Sequence, residues 1–211
     1  MGLFQKKTVP ADSKPLYSIG GQKTLLIIGL GNIGKEYEDT RHNIGFEVAD
    51  AFAANHDFGW VNKKDLHCHL ASGIIGSTRV IIVKPTTFMN ESGQAAQAVQ
   101  HFYRVYNPET FVVHDELDID LGVIKTKIGG GSAGHNGIKS LVQNLGDDFG
   151  RIRIGIGPKK PTQIDSADFV LAKFTKEEQA NLKQIINESC SILDELTASH
   201  TLQTETRKIV N

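Results

Sequence analysis

A chain of 211 residues, 39% hydrophobic and 22% charged, has the balance of a soluble globular protein and the length for one sizeable core. Two distant cysteines, Cys68 and Cys190, exclude a disulfide framework and a spaced thiolate metal site, and fit a reducing compartment. No apolar run nears the length of a membrane span, and Lys6 and Lys7 lead into no secretory signal.

Residues 1–23, with Pro10, Pro15, Gly20, Gly21 and scattered Lys, predict a flexible arm; residues 24–211 form the single folded domain. The first strand is Thr24–Ile28, and it runs into Gly-Leu-Gly-Asn-Ile-Gly, residues 29–34. A helix follows from about Asn43 to Asn55, with Ile44, Val48, Ala49 and Phe52 on one face. Leu66–Ser72 and Arg79–Val83 read as strands joined by a turn containing Gly73 and Gly76. Ser92 is placed to cap a helix carrying Ala95, Ala98, Val99 and Phe102. Thr110–His114 and Val123–Ile128 are β-branched strands. The loop Gly129-Gly130-Gly131-Ser132-Ala133-Gly134 leads into a helix with Ile138, Leu141, Val142 and Leu145, stopped by Gly146. Arg151–Ile156 alternates, with Ile152, Ile154 and Ile156 opposite Arg151 and Arg153. An amphipathic helix spans about Lys176–Ala198. Alternating strands and helices predict an α/β fold: three layers, α/β/α, around a twisted mixed sheet.

The net charge of −1 conceals segregation. Residues 24–120 hold seven basic and thirteen acidic side chains, whereas residues 121–160 hold seven basic and two acidic. The basic segment reads either as the footprint of an acidic ligand or as a solvated surface.

Residues 29–34 match the Gly-x-Gly-x-x-Gly dinucleotide fingerprint, but Lys35, Glu36, Glu38, Asp39 and Arg41 stand where its helix must begin. Acidic side chains there repel a pyrophosphate. The glycines instead permit a sharp turn that exposes Asn32. His42 precedes a helix, and the strand Thr110–His114 delivers Asp115 at its end, where α/β sheets gather ligand groups. A His polarised by an Asp is a general base. With no Ser, Cys or Thr in a nucleophile elbow, such a pair points to activated water and hydrolysis. Asn32, Asn90 and Asn136 offer neutral amides for an oxyanion or a peptide group. The glycine-rich loop before Asn136 has the composition of an anion-binding nest, with Lys125, Lys127, Lys139, Arg151 and Arg153 nearby for phosphates. Two metal readings are weak. Asp115, Glu116, Asp118 and Asp120 lack the rest of a calcium loop, and His67 and His69, on one strand face, lack a third zinc ligand.

Five blocks occur in one order: I-G-L-G-N-I-G-K-E-Y-E-D-T-R-H-N-I-G-F, K-P-T-T-F-M-N-E-S-G, V-H-D-E-L-D, G-G-G-S-A-G-H-N-G and F-G-R-I-R-I-G-I-G. Together, over about Leu25 to Leu196, they resemble the bacterial-type peptidyl-tRNA hydrolases. The resemblance implies cleavage of the ester between a peptide and the 3′-terminal ribose of tRNA, by a cytoplasmic monomer that needs no cofactor, metal or obligate protein partner. It implies His42 as the base, Asp115 as its orienting partner and Asn32 as a catalytic amide. It places Asn90, Asn136, Met89 and Tyr37 against the substrate, and Lys125, Lys127 and Arg153 against tRNA phosphates. Ile33 stands where such proteins usually carry Pro, a Pro usual near Asp120 is missing, and residues 1–23 precede the usual start. The alternative is an RNA-binding relative that has lost its enzymatic role, as in plant organelle splicing factors.

Overall fold

The computed structural model describes residues 23–209. The expected arm, residues 1–23, lies outside them but for Lys23. β1 (Thr24–Gly29) is almost wholly buried, as a near-continuous apolar run must be when helices cover both sheet faces. It is followed by α1 (Ile44–Asn55), β2 (Val61–Lys63), β3 (Cys68–Ile75), β4 (Thr78–Pro85) and α2 (Ser92–Tyr103). Then come β5 (Thr110–Asp120), β6 (Val123–Ile128), α3 (Asn136–Leu145), β7 (Gly150–Gly157), α4 (Ser166–Leu171), α5 (Lys176–Ser199) and β8 (Thr206–Lys208).

The strands form one sheet in the order β2-β3-β4-β1-β5-β7-β6-β8. β4, β1, β5 and β7 are mutually parallel, and the outer strands pair antiparallel. Alternate residues of β1 serve opposite layers. Leu25 and Ile27 pack with Val48, Phe52, Ile185 and Leu193 of α1 and α5. Leu26 and Ile28 pack with Ala96, Val99, Ile138 and Leu141 of α2 and α3. The fold is therefore the expected three-layer α/β/α arrangement around a mixed sheet.

The chain passes from β1 to β4 on one side of it, then crosses to β5 on the other. That reversal opens a crevice at the carboxyl end of β1, the usual ligand position in open α/β sheets. The register of β1 with β5 stops at Gly29–Val113, while β5 continues to Asp120. Asp115 and Glu116 therefore project beyond the end of β1 into the crevice.

Some element limits differ from the sequence reading. β3 starts at Cys68, and His67 sits before it in a left-handed turn (φ 52°), so His67 and His69 do not share a strand face. Ser92 is the first residue of α2, not its cap, and its hydroxyl donates to the Met89 carbonyl at 2.9 Å. Asp115 lies within β5 rather than at its end. β2, α4 and β8 carry too few residues to announce themselves by periodicity.

Candidate active site

The site is built at the carboxyl end of β1. The glycines there serve close packing: a Cβ on Gly29 would lie 2.3 Å from the Gly45 carbonyl oxygen, so β1 and α1 could not approach. Gly34, at φ 120°, takes the backbone through a conformation closed to L side chains. Between them Asn32 is held on both sides. Its N–H donates to Asn43 Oδ1 at 2.8 Å, and Asn43 Nδ2 donates to its carbonyl at 3.0 Å. Asn32 Oδ1 accepts from the Met89 N–H at 2.8 Å, which leaves Nδ2 as the free donor of its amide.

His42 sits in the one-turn helix Arg41–Asn43 ahead of α1 and is buried. Its Nδ1 lies 2.9 Å from Asp115 Oδ1 and 3.0 Å from Oδ2. His135 approaches the same carboxylate from the other side, with Nε2 at 2.9 Å from Oδ1. As the N-cap of α3, His135 accepts through Nδ1 from the N–H groups of Gly137 (3.1 Å) and Ile138 (3.3 Å). Its proton therefore rests on Nε2, and it donates to Asp115. The two imidazole rings stand 4.8 Å apart. Burial alone would push the Asp115 carboxyl up, but the two histidines overcome it and hold the group well below the usual carboxylate range. An ionised Asp115 accepts the Nδ1–H of His42 and directs the Nε2 lone pair outward.

His114 packs edge-on to His135, with ring centroids 4.9 Å apart, and its Nδ1 lies 2.6 Å from the Asp115 carbonyl oxygen. Burial above all pushes its pKa well down, so it is neutral. His42, Asp115 and His135 are also the one set of three metal-ligand types gathered among the described residues. Their facing atoms are already matched as hydrogen-bond donors and acceptor.

A cavity of about 650 Å³ opens over this group, lined by Asn32, His42, Met89, Asp115, Glu116 and His135. Asn90 and Asn136 line it as well, Asn136 as the first residue of α3. Met89 is buried in the wall, and Phe88 stands exposed at the rim. Tyr37 is not among the lining residues; its carbonyl accepts from the Thr40 hydroxyl at 2.7 Å.

The facing wall comes from α4, with Ser166, Ala167, Val170 and Leu171. Arg41, next to His42, anchors that wall. Its guanidinium donates to the carbonyls of Phe169, Ala172 and Lys173 and to Glu178 Oε2, and lies 4.3 Å from the Phe169 ring centre.

Lys125, Lys127 and Arg153 lie together on β6 and β7, where Lys125 pairs with Arg153 and Lys127 with Arg151. Arg151 is buried and donates to the Gly130 and Gly131 carbonyls at 2.5 and 2.6 Å. It is a brace for the glycine loop rather than an open phosphate contact, and it draws two of that loop's carbonyls inward. Cys68 and Cys190 are buried thiols pushed up to about 12, mainly by desolvation. Neither is a nucleophile.

Sequence reasoning missed His135 and Asn43, although both stand inside the quoted blocks, beside Asn136 and His42. The family model for peptidyl-tRNA hydrolase matches residues 26–211. The chain belongs to the peptidyl-tRNA hydrolase family. A peptidyl-tRNA hydrolase of Rickettsia africae (strain ESF-5) is 44% identical over 163 residues, covering 77% of this chain and 88% of that protein. One from Rickettsia felis is 40% identical over 186 residues, covering 88% and 100%. A point mutant of the peptidyl-tRNA hydrolase of Acinetobacter baumannii superposes with a TM-score of 0.80 at 35% identity, over 85% of this chain and 91% of that one. Membership of this family replaces the dinucleotide reading of Gly29–Gly34. No helix among the described residues is long and apolar enough to cross a membrane.

Proposed function

We propose that the protein hydrolyses the ester joining a peptide, or an N-blocked aminoacyl group, to the 3′-terminal ribose of tRNA, with water activated by His42. Family membership supports the reaction. One observation supports the mechanism: Nδ1 of His42 is engaged by a buried, ionised Asp115 at the wall of the cavity, which leaves Nε2 free. No hydroxyl or thiol bonds to His42 among the described residues, so water is the natural nucleophile.

In this scheme Nε2 removes a proton from water as the oxygen attacks the ester carbonyl carbon. The growing imidazolium is stabilised by Asp115, which is itself steadied by His135. The carbonyl oxygen gains charge and receives the Nδ2–H of Asn32, an amide already oriented by Met89 and Asn43. The intermediate then collapses: the bond from carbon to the ribose oxygen breaks, and His42 returns its proton to that oxygen. A free peptide acid and a free tRNA result. Asn90 and Asn136, at the rim, hold the peptide main chain, and Met89 forms the apolar wall beside it. Lys125, Lys127 and Arg153 hold tRNA phosphates, which raises affinity without reading sequence. A tRNA substrate supports a cytoplasmic site of action.

Incubation of the purified protein with N-acetyl-aminoacyl-tRNA tests the reading. Release of the N-acetyl amino acid is expected. Tight tRNA binding with no ester cleavage would instead identify an RNA-binding relative.

A further inference from the structure

β8 is a three-residue strand at the sheet edge, yet it is firmly held. The Ile209 N–H donates to the Gly122 carbonyl at 2.8 Å, the Thr126 N–H donates to the Glu205 carbonyl at 3.0 Å, and Leu202 is buried in the core. Arg207 hydrogen-bonds Glu188 and Glu195 of α5 and Glu205, at 2.6 to 3.1 Å. These bonds hold the guanidinium pKa above its ordinary value. A tail fixed at this many points presents its other side chains in a set direction.

The register gives that direction. Directly opposed residues share a sheet face, and alternate residues along a strand share it too. Val123 opposes Lys208, and Lys125 opposes both Thr206 of β8 and Arg153 of β7. Arg153 in turn opposes His114 of β5. Lys208 therefore joins Lys125, Lys127 and Arg153 on one face, while Arg207 points to the α5 side. Lys208 is a diagonal neighbour of Lys125, about 7–8 Å away. It is exposed, and none of these four cations has a carboxylate within ion-pair distance among the described residues. Burial, with repulsion from Arg153 and Arg151, pushes the Lys127 ammonium pKa down. A polyanion laid over this face would relieve that repulsion.

The strip starts at the cavity. Glu116 lines the cavity and lies within electrostatic reach of Arg153. From β5 to β8 the sheet extends three strand spacings, on the order of 14 Å. We infer that Lys208 is a further RNA contact: it binds the phosphate backbone of the substrate's tRNA stem, one strand farther from the ester than Lys125 and Lys127. This rests on the assignment of the β6–β7 cations to tRNA phosphates.

The test measures tRNA affinity across a salt series for the full chain and for Lys208→Ala, Lys208→Arg, Lys125→Ala with Lys127→Ala, and Lys183→Ala. Lys183 is exposed on α5, across the sheet. Lys208→Ala should weaken binding several-fold and reduce the slope of log affinity against log salt by about 0.7–0.9, one phosphate's worth. Lys208→Arg should restore both, and Lys183→Ala should change neither. If Lys208→Ala matches the wild type while the Lys125/Lys127 pair weakens binding, Lys208 is not a contact and the basic face stands. A loss with Lys183→Ala as large as with Lys208→Ala reduces the effect to net charge and overturns the inference. If the Lys125/Lys127 pair also binds normally, the assignment of the whole face fails with it.

Discussion

His42 and His135, ninety-three positions apart, meet at one oxygen: each places a ring nitrogen 2.9 Å from Asp115 Oδ1. The carboxylate is thus bracketed by two donors, one facing the cavity with its second nitrogen and the other locked into the start of α3.

Asp115→Asn removes the negative charge that both rings share. The amide cannot accept from His42 and His135 as a carboxylate does, and the Nε2 lone pair of His42 loses its direction. The expected fall in kcat is about 10²–10⁴-fold, with KM changed far less. Steady-state kinetics on N-acetyl-aminoacyl-tRNA check this. A KM effect with normal kcat contradicts the assigned role.

His135 has two jobs that substitution can separate. His135→Ala loses the α3 cap, at a cost of about 0.5–2 kcal/mol in denaturant unfolding. His135→Asn keeps a capping side chain, but a shorter one that leaves Asp115 with one donor. It should retain most of the stability and still lower kcat, by less than a change at His42. Equal activity for His135→Asn and wild type removes His135 from the catalytic arrangement.

Much of this site is legible in the sequence, and the gaps have physical causes. The short apolar run Leu25–Ile28, bounded by Gly29, reads as a strand buried on both faces, and the glycines after it mark the turn that holds Asn32. His135 is different. Its contact with Asp115 spans twenty positions and depends on the loop from Gly129 to Gly134, whose path no local rule predicts. The β-branched run Thr110–His114 predicts a strand ending in polar groups, the first of Asp115, Glu116, Asp118 and Asp120. β5 in fact carries them onward, where Asp120 pairs with Gly157 after a register shift. The alternation of Arg151 and Arg153 marks their face correctly, but alternation cannot distinguish solvent from a recess lined with carbonyls. Arg151 lies in such a recess.

Glu47 provides a pH-dependent prediction outside the site. Burial, then repulsion from Asp39 and Asp50, raises its carboxyl from 4.5 to about 7, and its Oε1 has no hydrogen-bond partner. The folded state holds the proton more tightly than the unfolded chain. Its contribution is therefore fully present below about pH 4.5 and is lost as pH rises through about 7. Glu47→Gln should be more stable than wild type by on the order of 1–2 kcal/mol at pH 8, with little difference at pH 4.5. Urea titrations at the two values check it; a gain only at the acid end reverses the argument.

Ile33 is 40% exposed, and its N–H donates to no group among the described residues. Pro at this position removes no hydrogen bond and stiffens the unfolded chain. Ile33→Pro should add about 0.4–1 kcal/mol of stability and leave Asn32 in place. Thermal unfolding and kcat together check this: a gain in stability with normal kcat fits, and a drop in both shows that the turn needs the freedom of Ile33.

The central claim is that His42 activates water for ester cleavage. Single-turnover hydrolysis of N-acetyl-aminoacyl-tRNA by His42→Ala, with tRNA binding measured on the same samples, tests it most directly. The account predicts a rate about 10²-fold or more below wild type at unchanged tRNA affinity. Cleavage by His42→Ala at the wild-type rate would contradict it.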